Sequence, residues 1–205
     1  MKQEPQIDQI LSGGFESVAD GGVRSFTVDA LSKRLAMSKK TIYKFFPTKE
    51  NLIHGIMHFA LDQINSVFIK VMKEEPNPVL QYIKIMEAIS KFAGRTPVHK
   101  LVELKSLYPS IWDHVETFRL SQQRNFYTIL KLAQEQGLAR DDIDMKVASV
   151  VYVNVVNSTF QPEFFLKHDL PISETIRGFV KVVARGIFNE KGRAAINQYY
   201  EHNRV

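Results

Sequence analysis

The sequence predicts an all-α protein: a small three-helix unit at the N-terminus, then a larger helical domain, about nine helices in all. Three observations predict it. Apolar residues recur every three or four positions along most of the chain, the spacing of one helix face. The breaks in that spacing are short and carry helix caps or breakers: Gly21-Gly22, Thr27, Ser38, Pro47-Thr48, Glu75-Pro76-Asn77-Pro78 and Gly137. Finally, 205 residues with 44% hydrophobic and 24% charged side chains make an ordinary globular chain, long enough to bury a core.

Ile7, Ile10, Leu11, Phe15 and Val18 form the first helical stripe, with Pro5 suited to the opening turn and Gly21-Gly22 ending it. Thr27 caps a short second helix whose inner face is Val28, Leu31, Ser32 and Leu35. After a break at Ala36-Met37, Ser38 caps a third helix with Ile42 and Phe46 turned inward. Pro47-Thr48 stops and recaps the chain, and Glu50 suits the first turn of a fourth helix. Two short helices joined by a tight turn, inside a three-helix unit, make a helix-turn-helix.

Composition narrows the chemistry. The chain has no cysteine, which excludes disulfides, thiolate catalysis and cysteine-based zinc sites. Met1-Lys2-Gln3-Glu4-Pro5 lead into an amphipathic pattern rather than an apolar signal core, and no apolar run approaches the roughly 18 residues of a membrane span. The expected location is therefore the cytoplasm, with no membrane partner. The formal net charge is +5, but Arg24, Lys33, Arg34, Lys39, Lys40, Lys44 and Lys49 face a single acid, Asp29, so the segment Arg24–Lys49 is far more basic than the rest.

A basic stretch is often only a solvated face, but here it falls on the third helix. With Ile42 and Phe46 inward, Lys39, Lys40, Thr41, Tyr43 and Lys44 point out. Two lysines in a first turn oppose the helix dipole by a few tenths of a kcal/mol each, unless an anion such as phosphate answers them. In a recognition helix the N-terminal residues reach base edges in the major groove. Lysine can donate to guanine O6 and N7, and a threonine can touch several bases. Tyr43, Thr27 and Lys49 suit phosphate contacts, which fix register without reading sequence. The plainer alternative for Tyr43 is packing.

The stretch Thr27-Val28-Asp29-Ala30-Leu31-Ser32-Lys33-Arg34-Leu35-Ala36-Met37-Ser38-Lys39-Lys40-Thr41-Ile42-Tyr43-Lys44-Phe45-Phe46-Pro47-Thr48-Lys49-Glu50-Asn51-Leu52 resembles the signature of the TetR family of bacterial regulators, and Ile10-Leu11 with Gly22 fit the same pattern upstream. The likeness spans roughly residues 5 to 55. Three positions depart from the family pattern: Ala36 stands where glycine is usual, Lys40 where glycine or alanine is, and Phe45 where histidine is. The first costs about 1 kcal/mol if the residue is left-handed; the others bear on base preference and on one phosphate contact. The resemblance implies a DNA-binding domain over residues 1–50, and a helical regulatory and dimerisation domain over 51–205. It also implies a homodimer on a palindromic operator in double-stranded DNA, an apolar or amphipathic small-molecule inducer and no cofactor. The DNA-binding residues are then Thr27, Ser38, Lys39, Lys40, Thr41, Tyr43, Lys44 and Lys49.

Beyond residue 55 the pattern predicts one long helix over 48–73, a second over Val79–Lys91, a third opened by Thr96-Pro97, and a long one after Tyr108-Pro109, with Ser110 and Asp113 as a capping box, ending at Gly137. Residues 147–157 are rich in β-branched side chains, which favours a strand; length, context and a cap at Asp144 favour a helix. The last clear helix runs from Ser173 to about Asn189, and the tail after Gly192 is left open. By analogy with the family, Phe92, His99, Tyr108, Trp112, Phe126, Tyr127 and Tyr152 are candidates to line the inducer pocket, although aromatics at helical spacing are commonly plain core. The helix over 173–189 is apolar on two faces, and Phe179, Val182 and Gly186 are assigned to a partner subunit, although a helix buried within its own chain would show the same pattern. His54, His58 and Asp62 align at four-residue intervals, but three side chains spread along one straight helix are too far apart for one ion, and no metal is expected.

Three classes of function follow: a repressor released from DNA by a small molecule, a DNA-binding regulator without such a ligand, and an enzyme. No glycine-rich phosphate loop, nucleophile motif or metal cluster supports the third. The first is the reading carried forward.

Overall fold

The computed structural model describes residues 4–203; Met1–Gln3, which belong to the amphipathic lead-in, and the last two residues lie outside them. The described residues form twelve helices in chain order: α1 (Glu4–Gly21), α2 (Val28–Arg34), α3 (Lys39–Phe45), α4 (Lys49–Glu74), α5 (Pro78–Ala93), α6 (Val98–Leu107), α7 (Pro109–Ser121), α8 (Gln123–Glu135), α9 (Met145–Thr159), α10 (Pro162–His168), α11 (Ile172–Ile187) and α12 (Glu190–His202). One isolated antiparallel bridge joins Ala139 to Phe188.

The expectation of about nine helices is corrected to twelve. The long helix expected after residue 110 is broken at Gln122, whose N–H reaches only the Arg119 carbonyl three residues back, a tightened turn dividing α7 from α8. Ser110 lies inside α7 and does not cap it. Proline at the first position starts α10, and the tail after Gly192 is helical as α12, capped by Asn189 accepting from the Gly192 N–H. The β-branched run 147–157 is helix, with the Asp144 carboxylate accepting from the N–H groups of Lys146 and Val147.

The chain forms two compact units. One comprises residues 1–63 with 95–115, the other residues 64–94 with 116–205. The boundary expected after residue 50 falls inside α4, which runs unbroken to Glu74 because nothing in its sequence stops it before Glu75-Pro76. The first unit is built on an aliphatic core in which Ile10, Val23, Leu31, Ile42, Leu52, Ile53, Ile56, Leu104 and Ile111 are buried. Gly22 ends α1 with φ +81°, a left-handed turn that suits glycine. It leads into Val23 and Phe26, both buried in the same core. In the second unit α5 is central and packs against α8, α11 and α12, while α8 also packs on α9. There the turn after α8 is clasped to the start of α12: Asn189 donates from its side chain to the carbonyls of Gly137 and Ala139. Gly192 lies so close that a Cβ would stand 2.2 Å from the Leu138 carbonyl oxygen. Among the described residues, no helix is long and apolar enough to cross a membrane.

Candidate nucleic-acid interface

The geometry of α2 and α3 follows from their caps. Thr27 Oγ1 accepts from the Ala30 N–H at 3.1 Å, and Ser38 Oγ accepts from the Thr41 N–H at 3.0 Å. Between the helices the chain turns at Ala36, φ +50°, the left-handed conformation anticipated for this position. The Met37 N–H then closes the turn on the Ser32 carbonyl at 3.0 Å. Ile42, fully buried, anchors α3 in the core. Phe46 turns inward as expected, packed against the core and beside Gly55, but it stands at the C-cap just after α3 and is half-buried rather than fully enclosed.

The side chains assigned to DNA do not all point the same way. Lys39, Lys40, Tyr43 and Lys44 are exposed, Tyr43 at 43%, so it does not serve as core. Thr27 and Ser38 are exposed too, yet both serve as caps, and Ser38 Oγ lies 2.8 Å from Thr41 Oγ1. Lys49 turns into its own unit, donating to the Val23 carbonyl at 3.2 Å with its ammonium 5.9 Å from the centre of the Phe26 ring. The cations also differ in their partners. Arg34 pairs with Glu16 and Asp20, Lys39 with Asp29 at 2.8 Å, and Lys44 stands 5.7 Å from the centre of the Phe45 ring. Lys40 has no partner among the described residues. The Lys39–Asp29 pair was missed by the sequence reading. The available signal was that Asp29 is the sole acid between Arg24 and Lys49.

The seven residues proposed for a small-molecule pocket are divided between the two units. His99, exposed, Tyr108, half-buried, and Trp112, buried with the Lys105 ammonium 5.6 Å from its ring, belong to the first unit. Phe92, Phe126, Tyr127 and Tyr152 belong to the second. There Phe126 and Tyr152 stack at 4.0 Å within an aromatic cluster that also holds Tyr82, Phe160, Phe179 and Phe188. The sequence reading missed Tyr82, Phe160 and Phe188 because each sits in an unremarkable helical or helix-end pattern. Phe179, assigned to a partner subunit, stacks on Tyr152 at 5.3 Å instead. Tyr152 donates to Met86 Sδ at 3.2 Å, whereas the Tyr82 hydroxyl is buried without a hydrogen-bond partner among the described residues. Burial, with Tyr152 beside it, pushes the Tyr82 phenol well above its ordinary range.

The other two residues assigned to a partner face open space. Val182 is 70% exposed, and a Cβ on Gly186 would meet nothing within 4 Å; the same holds for Gly178 one turn before Val182. On α9 the run Val147, Val150, Val151 and Val155 is exposed at helical spacing, which the sequence reading did not single out. His54 and His58 face His114 of α7, with ring centres 6.1 and 5.0 Å from it. Among the described residues no three His, Asp or Glu side chains are placed to hold a metal ion.

Comparison with known proteins converges on this reader. Residues 10–56 match the family model described as bacterial regulatory proteins, tetR family. The chain is similar to the uncharacterized HTH-type transcriptional regulator YvaF of Bacillus subtilis (strain 168), 25% identical over 87% of this chain and 94% of that one. Among solved structures it resembles a TetR transcription regulator from Haloarcula marismortui, with a TM-score of 0.70 at 14% identity over 91% of this chain and 100% of that one. It also resembles a gamma-butyrolactone receptor described as ArpA-like, with a TM-score of 0.63 at 16% identity over 95% and 94% of the two chains. Residues 10–56 thus carry the N-terminal domain of the tetR family of bacterial regulatory proteins, and the chain as a whole shares the fold of these structures.

Proposed function

We propose that the protein is a homodimeric, cytoplasmic repressor that leaves a palindromic operator when a small molecule binds its second unit, and that it carries no catalytic activity. The observation that carries the DNA half of this reading is α3 itself. Ile42 locks the helix while Lys40, Tyr43 and Lys44 project from it, the arrangement of a recognition helix entering a major groove. Thr27, Ser38 and Thr41 contribute through the caps that set the helix ends, and Lys49 through its hold on Val23.

The ligand half rests on the aromatic cluster around Tyr82. A buried hydroxyl without a partner costs about 1–3 kcal/mol, and a ligand acceptor would remove that cost. An apolar or amphipathic molecule bearing one acceptor suits the surrounding rings. The similarity to a gamma-butyrolactone receptor supports a small-molecule input without naming one. The dimer rests on the exposed valines of α9, together with Val182 between the open glycines of α11. Apolar and small residues left on a helix surface suit close packing against a second copy.

The test is selection of a duplex from a randomised pool by the purified protein, followed by anisotropy titrations of the selected and scrambled DNA at two salt concentrations. Tight, selective, salt-steep binding to a palindrome supports the reading. Equal weak binding to all duplexes would sink it. Val151→Asp should keep the helical content of the parent, yield a monomer by light scattering with a melting midpoint lowered by the lost association, and abolish tight operator binding. A dimer that persists would remove α9 from the interface.

A further inference from the structure

The three outward lysines of α3 stand in different electrostatic situations. Lys40 has no partner among the described residues, Lys44 lies over its own neighbour's ring, and Lys39 alone is paired across the turn, with Asp29 of α2 at 2.8 Å. Asp29 is the one acid in the basic segment Arg24–Lys49. Its backbone carbonyl accepts from Ser32 Oγ, so the residue is fixed in the first turn of α2 while its carboxylate reaches toward α3. Both side chains of the pair are exposed, 57% for Lys39 and 62% for Asp29.

An acid facing the surface where DNA would lie is unfavourable for any duplex, because it repels phosphates and occupies a cation that could release a counterion. It has a compensating effect only where the lysine must be aimed. A free lysine loses rotamer entropy when it is fixed against one acceptor. A lysine already held by Asp29 over the first turn of α3 has lost part of that freedom before DNA arrives. An exposed ion pair in water is weak, weak enough to be shared with or exchanged for a guanine edge.

We propose that Asp29 is a specificity-determining residue of the DNA reader, acting through Lys39: it disfavours non-specific phosphate contact and positions the Lys39 ammonium for a base. This inference rests on the DNA-binding reading above. It assigns the sequence discrimination of α3 to a pair of residues rather than to the lysines alone, and it separates Lys39, an aimed group, from Lys40, a free one.

Asp29→Asn keeps the size of the side chain and leaves the Thr27 cap intact, and its melting curve should match the parent's. Scrambled DNA should bind it about two- to fivefold more tightly, with the slope of log affinity against log salt steeper by about one. Affinity for the selected duplex should stay level or fall, so the ratio of selected to scrambled binding drops. In a Lys39→Ala background the Asp29→Asn change should no longer alter that ratio, whereas in a Lys40→Ala background it should alter it as before; the cycle isolates the pair from a plain charge effect. Equal tightening on both duplexes, or a ratio that still shifts without Lys39, would overturn the proposal while the parent's selective binding stands. A parent protein without selective binding would overturn the DNA-binding reading and this inference with it.

Discussion

The helices that carry the reader and the helices of the second unit solve the same packing problem with different materials. Around α2 and α3 the fully enclosed core is aliphatic but for Phe26, and the polar side chains nearest it are engaged as caps, ion pairs or a lysine on a carbonyl. In the second unit the centre is a network of rings, with buried polar atoms of Gln81, Tyr82 and Asn157 lacking hydrogen-bond partners among the described residues and a row of valines exposed on α9. The first arrangement is complete within one chain. The second carries costs that a further molecule could relieve: about 1–3 kcal/mol for a buried unpartnered polar group, and exposed apolar area that would gain about 25 cal/mol per Å² on burial. On the proposed function, the contrast would assign recognition of DNA to preformed geometry, and response to ligand and partner to unsatisfied groups.

Substitutions should therefore behave differently in the two regions. The largest effect is expected at Ile42, fully buried under α3. Ile42→Ala should cost about 2–5 kcal/mol and abolish operator binding, read by thermal melting and anisotropy together. A melting curve that does not move would mean the reader's core is not the self-sufficient body described. Lys40→Ala should weaken operator binding by about 1–3 kcal/mol without changing the melt, if the lysine reads a base; a uniform loss on every duplex would make it a phosphate contact. In the second unit, Tyr82→Phe removes a hydroxyl that has no hydrogen-bond partner among the described residues. It should leave stability unchanged or raise it by up to about 1 kcal/mol and, on the proposed function, weaken inducer binding. A clear loss of stability would show that the hydroxyl is already satisfied, and would erase the contrast between the two regions.

What was legible in the sequence divides along the same line. The reader's helices could be placed because local chemistry fixes them: Thr27, Ser38 and Thr48 each accept from a backbone N–H three residues on, and such caps can be read from three or four adjacent residues. The Asp144 cap decided the ambiguous run 147–157 in the same way. Long-range pairing was not legible. Nothing local distinguishes Tyr82, which sits among five other rings contributed by α8, α9, α11 and the helix ends at Phe160 and Phe188, from the half-buried Tyr127. Phe179 and Val182 share a helix and an apolar character, and only the neighbouring α9 decides that Phe179 stacks inside while Val182 stays out. The inward turn of Lys49 has the same origin, since its acceptor at Val23 lies 26 residues back.

The smallest effect tests how finely the reader is set. Ala36 holds φ +50° in the turn between α2 and α3, a conformation that costs an alanine about 1 kcal/mol and a glycine almost nothing. Ala36→Gly relieves that strain but gives the unfolded chain more freedom, so the expected gain is about 0.5 kcal/mol, a melting midpoint higher by a few degrees at most. Its effect on DNA binding should be smaller still, because the turn is closed by the Met37 N–H on Ser32 and by the Ser38 cap rather than by the side chain at 36. A lower melting point would mean that the alanine methyl makes a contact outweighing the strain. A changed preference among duplexes, with stability raised, would mean that the turn's stiffness sets how α3 is aimed. Discrimination would then reside partly in the backbone between the two helices as well as in the Asp29–Lys39 pair that spans it.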